Sequence, residues 1–134
     1  WMKPIYDNVE FLIGLNRSGR RGGQGPETLV NMGVLEIEPL TYIRGRSIPR
    51  QFMIVDEAQN LTPHEAKTIL TRAGEGTKII FTGDPYQIDN PYVDASDNGL
   101  VHPVHRFRNE PLAGTVTLLT GERSELAERA ANIL

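Results

Sequence analysis

Cysteine is missing from all 134 residues. Its absence rules out disulfides and thiolate metal sites within the chain and fits a reducing compartment. No apolar run approaches the roughly 20 residues of a membrane-spanning helix. The opening residues, Trp1-Met2-Lys3-Pro4, do not form a secretion signal. A soluble, cytoplasmic protein is therefore the expectation. An excess of positive charge is missing too, since 14 basic against 17 acidic side chains leave a net charge of −3. With no global pull toward polyanions, any nucleic-acid contact has to come from a local basic patch. Internal repeats are absent. What is there, 39% hydrophobic and 23% charged residues, is ordinary for a globular fold. A chain of this length buries roughly two-thirds of its unfolded surface, enough for one core and a single domain, or a substantial piece of one.

The richest segment is Phe52-Met53-Ile54-Val55-Asp56-Glu57-Ala58-Gln59. Four apolar residues suited to a buried strand end in two adjacent carboxylates. A strand interior cannot hold unpaired charge, so both acids belong just past the strand's C-terminal end. Two readings fit that exit. In phosphate-cleaving nucleoside triphosphatases, one such acid serves the Mg²⁺ shell and the other polarises the attacking water. An ordinary strand exit with solvated acids has the same sequence.

The residues downstream bear on the choice. Thr62-Pro63-His64-Glu65 is a capping box with proline at the first helical position. Ala66, Ile69, Leu70 and Ala73 then recur at the spacing of one buried helix face, and Gly74 stands where a left-handed C-terminal residue is expected. Lys78-Ile79-Ile80-Phe81-Thr82 is a second apolar strand, ending in Gly83-Asp84-Pro85-Tyr86-Gln87. Strand, capped helix and strand make a βαβ unit with two parallel strands. Parallel strands put their C-terminal ends on one edge, which brings Asp56 and Glu57 beside the Gly83–Gln87 loop. Open α/β sheets bind ligands along that edge.

Elsewhere the signals are thinner. Ile5 to Leu15 has helical spacing, and a short helix is expected over Pro26–Met32 with Pro26 in its first turn. Between them, Asn16 to Gly25 carries four glycines and three arginines and reads as a loop, either solvated or gripping phosphate. Val34 to Ile43 looks like strand material interrupted by Pro39, hence short, bulged or at an edge. Arg44 and Arg46 flank Gly45 and suit a nucleic-acid phosphate, a neighbouring acid or plain solvent. Val116 to Leu119 reads as a third parallel strand, and Ser124 as the cap of a terminal helix with Leu126, Ala127, Ala130, Ile133 and Leu134 on its apolar face. His102 and His105 are three apart, but Pro103 argues against a helix that would converge them on a metal. Asp94 to Gly99 lacks the ligand alternation and late glutamate of a calcium loop. Tyr86 and Tyr92 suit base stacking or, more ordinarily, packing within a proline-rich loop.

With both strand exits in view, the chain resembles the PhoH family of P-loop ATPases, relatives of superfamily 1 helicases. The likeness runs from Pro39-Leu40-Thr41-Tyr42-Ile43-Arg44-Gly45-Arg46 through Asp56-Glu57-Ala58-Gln59-Asn60 and Leu70-Thr71-Arg72-Ala73-Gly74. It continues through Thr82-Gly83-Asp84-Pro85-Tyr86-Gln87-Ile88-Asp89 to Asn98-Gly99-Leu100, and more loosely to Gly121-Glu122-Arg123-Ser124. The resemblance implies a three-layer α/β P-loop NTPase core of RecA-like type with a mostly parallel sheet. It implies ATP and Mg²⁺ as ligands. Asp56 would be the Walker B acid holding Mg²⁺ through water, and Glu57 the catalytic base. Gly83 and Asp84 would border the nucleotide, Asp84 by shaping its turn or by binding a polar partner behind the site. Gln87 would sense the γ-phosphate. Arg123 would either face a phosphate, its own or a neighbour's, worth roughly 10³–10⁵ in rate when correctly placed, or be an ordinary surface arginine. Relatives fused to a PIN nuclease domain handle RNA, so RNA is the implied polymer, with Arg44 and Arg46 as its contacts.

One half of such a site is missing. A P-loop needs GxxxxGK[ST], whose backbone amides cradle phosphates and whose lysine reaches the β- and γ-phosphates. The three lysines here, Lys3, Lys67 and Lys78, do not follow a glycine. The expectation is therefore a partial PhoH-like domain over 1–134, with the phosphate loop upstream and little ATP binding by this polypeptide alone. A second recombinase-like domain is also lacking, and a ring-shaped homo-oligomer would supply an arginine from the neighbour instead. A nonhydrolytic RNA-binding or assembly module, its acids kept as structure, is the alternative.

Overall fold

The computed structural model describes residues 3–15, 26–43, 45–119 and 124–133. They belong to two compact units, Trp1–Arg46 and Ser47–Leu134.

The second unit contains the expected βαβ element, and the fold class is mixed α/β. Strands β1 (Phe52–Val55) and β2 (Lys78–Phe81) pair in parallel, Phe52 opposite Lys78 through to Val55 opposite Phe81. The ladder runs past both strands, with the Thr82 N–H donating to the Val55 carbonyl and the Ala58 N–H to the Thr82 carbonyl, each at 2.9 Å. Side chains alternate as a pleat demands: Met53, Val55, Ile79 and Phe81 are half-buried, while Phe52, Ile54 and Ile80 on the opposite face are exposed.

Between the strands lies helix α3 (Pro63–Leu70), started by the capping box. The Glu65 N–H donates to the Thr62 hydroxyl at 3.2 Å, and the Thr62 N–H donates back to Glu65 Oε2 at 2.8 Å. Two amides that the helix itself leaves without partners are thereby satisfied. Thr62→Ala is expected to lower unfolding free energy by about 1 kcal/mol in chemical denaturation, with Thr62→Ser close to the parent. The buried face is Ala66 and Ile69, at 0% and 1% exposure. The helix stops at Leu70, earlier than its apolar spacing suggests. Ala73 is instead held in a parallel bridge with Ile48, the Ile48 N–H donating to Arg72 and the Gly74 N–H to Ile48. Gly74 is not in the left-handed region, contrary to expectation. It is needed for space, because a Cβ there would lie 2.9 Å from Pro49 Cα. In this turn Gly76 is left-handed, with φ 73°.

Three further expectations fail, each for a physical reason. Val34 to Ile43 holds no strand: the Val34 and Leu35 amides turn back to the Leu29 carbonyl, closing the preceding helix, and Leu40–Ile43 is a 3₁₀ turn after Pro39. Val116 to Leu119 lies outside any strand, with Val116, Leu118 and Leu119 strongly exposed. Its β-type composition has no neighbouring backbone to bond among the described residues. His102 to Arg106 does lie in a helix, α4 (Val101–Arg106), despite Pro103. The proline occupies the first turn, where an N–H has no intrahelical partner to lose. Buried Asn98 supports that turn, its Oδ1 accepting from the Leu100 and Val101 amides at 2.9 Å each. Helix α5 (Glu125–Ile133) is capped as expected, the Ser124 hydroxyl accepting from the Ala127 amide at 3.3 Å.

In the first unit, α1 (Lys3–Leu15) packs against α2 (Pro26–Asn31), whose first residue, Pro26, is buried. No helix among the described residues is long and apolar enough to cross a membrane.

Candidate functional site

The chemistry-bearing residues of the second unit gather where β1 and β2 end. Asp56, directly after β1, is exposed, and its Oδ1 accepts from the Thr82 hydroxyl at 2.8 Å. Thr82 itself directly follows β2, so the two exits are tied together at their first residues. Glu57 is left-handed, with φ 53° and ψ 38°. For a residue with a Cβ this conformation stores about 1–3 kcal/mol and persists only where neighbours over-determine it. Here they do: Ala58 and Gln59 are completely buried, and the Ala58 amide is fixed on Thr82. The left-handed turn leaves the Glu57 side chain exposed at the sheet edge.

Gln59 occupies the centre. Its Nε2 donates to Glu57 Oε2 at 2.6 Å and to the Gln87 carbonyl at 2.9 Å, while its Oε1 accepts from the Asp84 amide at 3.3 Å. Gly83 is glycine because a Cβ there would overlap Gln59 Oε1. Asn60 fastens the far end of the same loop: its Oδ1 accepts from the Asp89 amide at 2.7 Å and the Asn90 amide at 3.2 Å. Within the loop, the Asp84 carboxylate accepts from the Tyr86 amide at 3.0 Å and from Gln87 Nε2 at 2.6 Å. Asp84 thus shapes its turn, as expected of an aspartate in this setting. Glu57 and Gln87 bond to one and the same amide nitrogen, so Asp56, Glu57, Gly83, Asp84 and Gln87 share a single edge.

Sequence reasoning missed Gln59 and Asn60 as parts of this edge. The available signal was a pair of amide side chains immediately after two acids, facing a loop that begins with glycine.

Arg46, in the first unit, contacts two acids, Glu36 at 3.4 Å and Glu38 at 3.7 Å. Of the partners open to it from sequence, the neighbouring acid is the one observed. The Glu38 carboxyl is held above its ordinary range, chiefly by a hydrogen bond with the Glu36 side chain. Arg44, Arg123 and the basic loop 16–25 lie outside the described residues. Tyr86 and Tyr92 are 88% and 87% exposed, so neither serves the packing role expected of them. His102 is paired with Asp97, its Nδ1 lying 2.9 Å from Asp97 Oδ1. The Asp94 carboxyl is held below its usual range, first by a hydrogen bond from the Ser96 hydroxyl and then by the Ser96 and Asp97 amides. Among the described residues, no group of three or more His, Cys, Asp or Glu could hold a metal by itself.

The family model described as PhoH-like protein matches residues 1–134. A PhoH2 protein of Bacillus subtilis is 55% identical over all 134 residues, which cover 29% of its own length. A PhoH2 protein of Thermobispora bispora is 40% identical over the same span and share. A PhoH-like protein of Bacillus subtilis is 42% identical over 91 residues, 68% of this chain and 26% of its own length. The chain therefore spans under a third of these curated relatives. With the family model matching from the first residue to the last, the chain belongs to the PhoH-like family.

Proposed function

We propose that this chain is the magnesium-binding and water-activating part of a nucleotide-binding P-loop domain that hydrolyses ATP and couples the cleavage to RNA handling. Family membership supports nucleotide binding. The observation that carries the finer reading is the convergence of Glu57 and Gln87 on one amide at the edge where parallel α/β sheets take their ligands.

The residues suit magnesium. It is a hard cation that takes one or two carboxylates together with substrate phosphates and keeps several waters. Asp56 offers such a carboxylate, with Oδ1 oriented by Thr82 and Oδ2 available to a water of the ion's shell. Mg²⁺, held by Asp56 through water, would partly neutralise the charge on the γ-phosphoryl group of ATP. Glu57 then accepts the proton of the attacking water, and Gln87 reports the state of the γ-phosphate through its loop. Arg123 would add positive charge in the transition state, from the same subunit or from a neighbour in a homo-oligomeric ring. Arg44 and Arg46 would meet RNA phosphates, Arg46 by exchanging its two glutamates for them. The exposed rings of Tyr86 and Tyr92 offer faces on which bases can stack.

The test uses the full-length protein, because this chain has no phosphate-cradling lysine motif. Phosphate release from ATP is expected for the full-length protein and not for residues 1–134 alone. RNA affinity is expected to fall steeply with salt, as phosphate contacts release counterions. A full-length protein that leaves ATP intact, while still binding RNA, would instead establish a nonhydrolytic module.

A further inference from the structure

A glutamine side chain has two N–H donors and a carbonyl acceptor, and Gln59 uses all three while completely buried. Both of its Nε2 contacts, a carboxylate and a backbone carbonyl, can only accept. The amide is therefore fixed in one orientation, since turning it over would set oxygen against two acceptors. The bond to Glu57 is charge-assisted and correspondingly short. The space is built to match, with Gly83 lacking the Cβ that would strike Oε1.

Packing alone does not require such a group, because an apolar side chain of the same size would fill the space without three partners to satisfy. We infer that Gln59 is a positioning residue: its amide sets the carboxylate of Glu57 and links it to the loop carrying Gln87, a role that rests on the hydrolysis proposed above. Glu57 Oε2 is anchored on Gln59, whereas Oε1 has no donor among the described residues. One carboxylate oxygen is thus held back and the other presented to water. The link also has a direction. The Gln87 carbonyl and the Asp84 amide grip the two ends of the Gln59 amide, so a shift of that loop moves the group that orients the base. Asp84 in turn binds the Gln87 side chain, which means that drawing Gln87 toward a phosphate disturbs the same loop. Polymer or nucleotide acting on the loop after β2 would reach the Glu57 carboxylate through this side chain.

The experiment is steady-state ATP turnover by the full-length protein, with folding followed by circular dichroism. Gln59→Glu keeps the volume and the acceptor for the Asp84 amide but places a carboxylate against Glu57. Gln59→Met keeps approximate volume and removes every hydrogen bond. Misplacement of a reacting group by about 1 Å can lower rate about 100-fold, so kcat is expected to fall by about that factor in both variants, with KM for ATP little changed. Gly83→Ala, which displaces the amide from its other side, should lower kcat likewise. Combined with Gln59→Met it should lower kcat no further, since both act through one group. Should Gln59→Met fail to fold, Gln59→Glu and Gly83→Ala carry the test. Parental kcat in folded Gln59 variants, beside an inactive Glu57→Gln, overturns the role of Gln59 alone. A rise in KM with kcat unchanged, the mark of a loosened pocket, overturns it as well. A parent protein without ATP turnover overturns the hydrolysis itself and this role with it.

Discussion

Glu57→Gln in the full-length protein is expected to reduce ATP turnover by about 10²–10⁴-fold, the usual contribution of a general base, while nucleotide affinity holds. The substitution is close to isosteric, and Glu57 is exposed, so the strand exit should survive it. The glutamine amide cannot accept a proton from water at neutral pH. Its Oε1 can still accept the bond that Gln59 now donates to the carboxylate, which preserves the neighbouring geometry. ATP binding, measured by fluorescence titration with a labelled analogue, should therefore match the parent, and single-turnover hydrolysis should report the loss directly. Turnover at the parental rate would remove Glu57 from the chemistry and leave its left-handed backbone without a functional reason. The distinction from Asp56→Asn is informative: that change acts on the carboxylate offered to the metal shell and should raise the magnesium concentration needed for half-maximal turnover.

How far the sequence discloses this site depends on the range of each interaction. The βαβ element is legible because its signals are local. An apolar run ends in acids at Asp56, a capping box opens at Thr62, and a second apolar run ends in glycine at Gly83. Parallel pairing then places the two exits on one edge, and Thr82 bonded to Asp56 is the direct consequence. What is not legible is long-range. Helix α3 ends at Leu70 because Ile48 captures Ala73 and Gly74, a pairing across 25 positions that no helical periodicity contains. Gln59, an amide beside two charged residues, looks like part of a solvated turn. Only the approach of Gly83 and Gln87 from the loop after β2 makes it buried and fully bonded. Val116 to Leu119 shows the converse. Its composition is that of a strand, but pairing requires a second backbone, and composition does not supply one.

A second large effect is expected in stability. Ile69→Ala should lower the unfolding free energy by about 2–5 kcal/mol, the range for truncating a buried aliphatic side chain. Ile69 is 1% exposed on α3, in the second unit, where Ile48, Ala58 and Ala66 are also buried. Two of the four are alanines, so Ile48 and Ile69 are the large members of this small group. Ile48 also forms the bridge to Ala73 that ends α3. A hole at Ile69 would therefore loosen the helix at the end held by that bridge. Urea denaturation of the full-length protein measures the loss, and Ile69→Val provides the graded comparison, expected at about 0.5–1.5 kcal/mol. Ile69→Ala with an unchanged midpoint would show that α3 is held by its caps and loops and not by its buried face. The effect should also reach function, since α3 connects the two strands whose ends carry Glu57 and Gln87, and the register of those ends depends on where the helix sits.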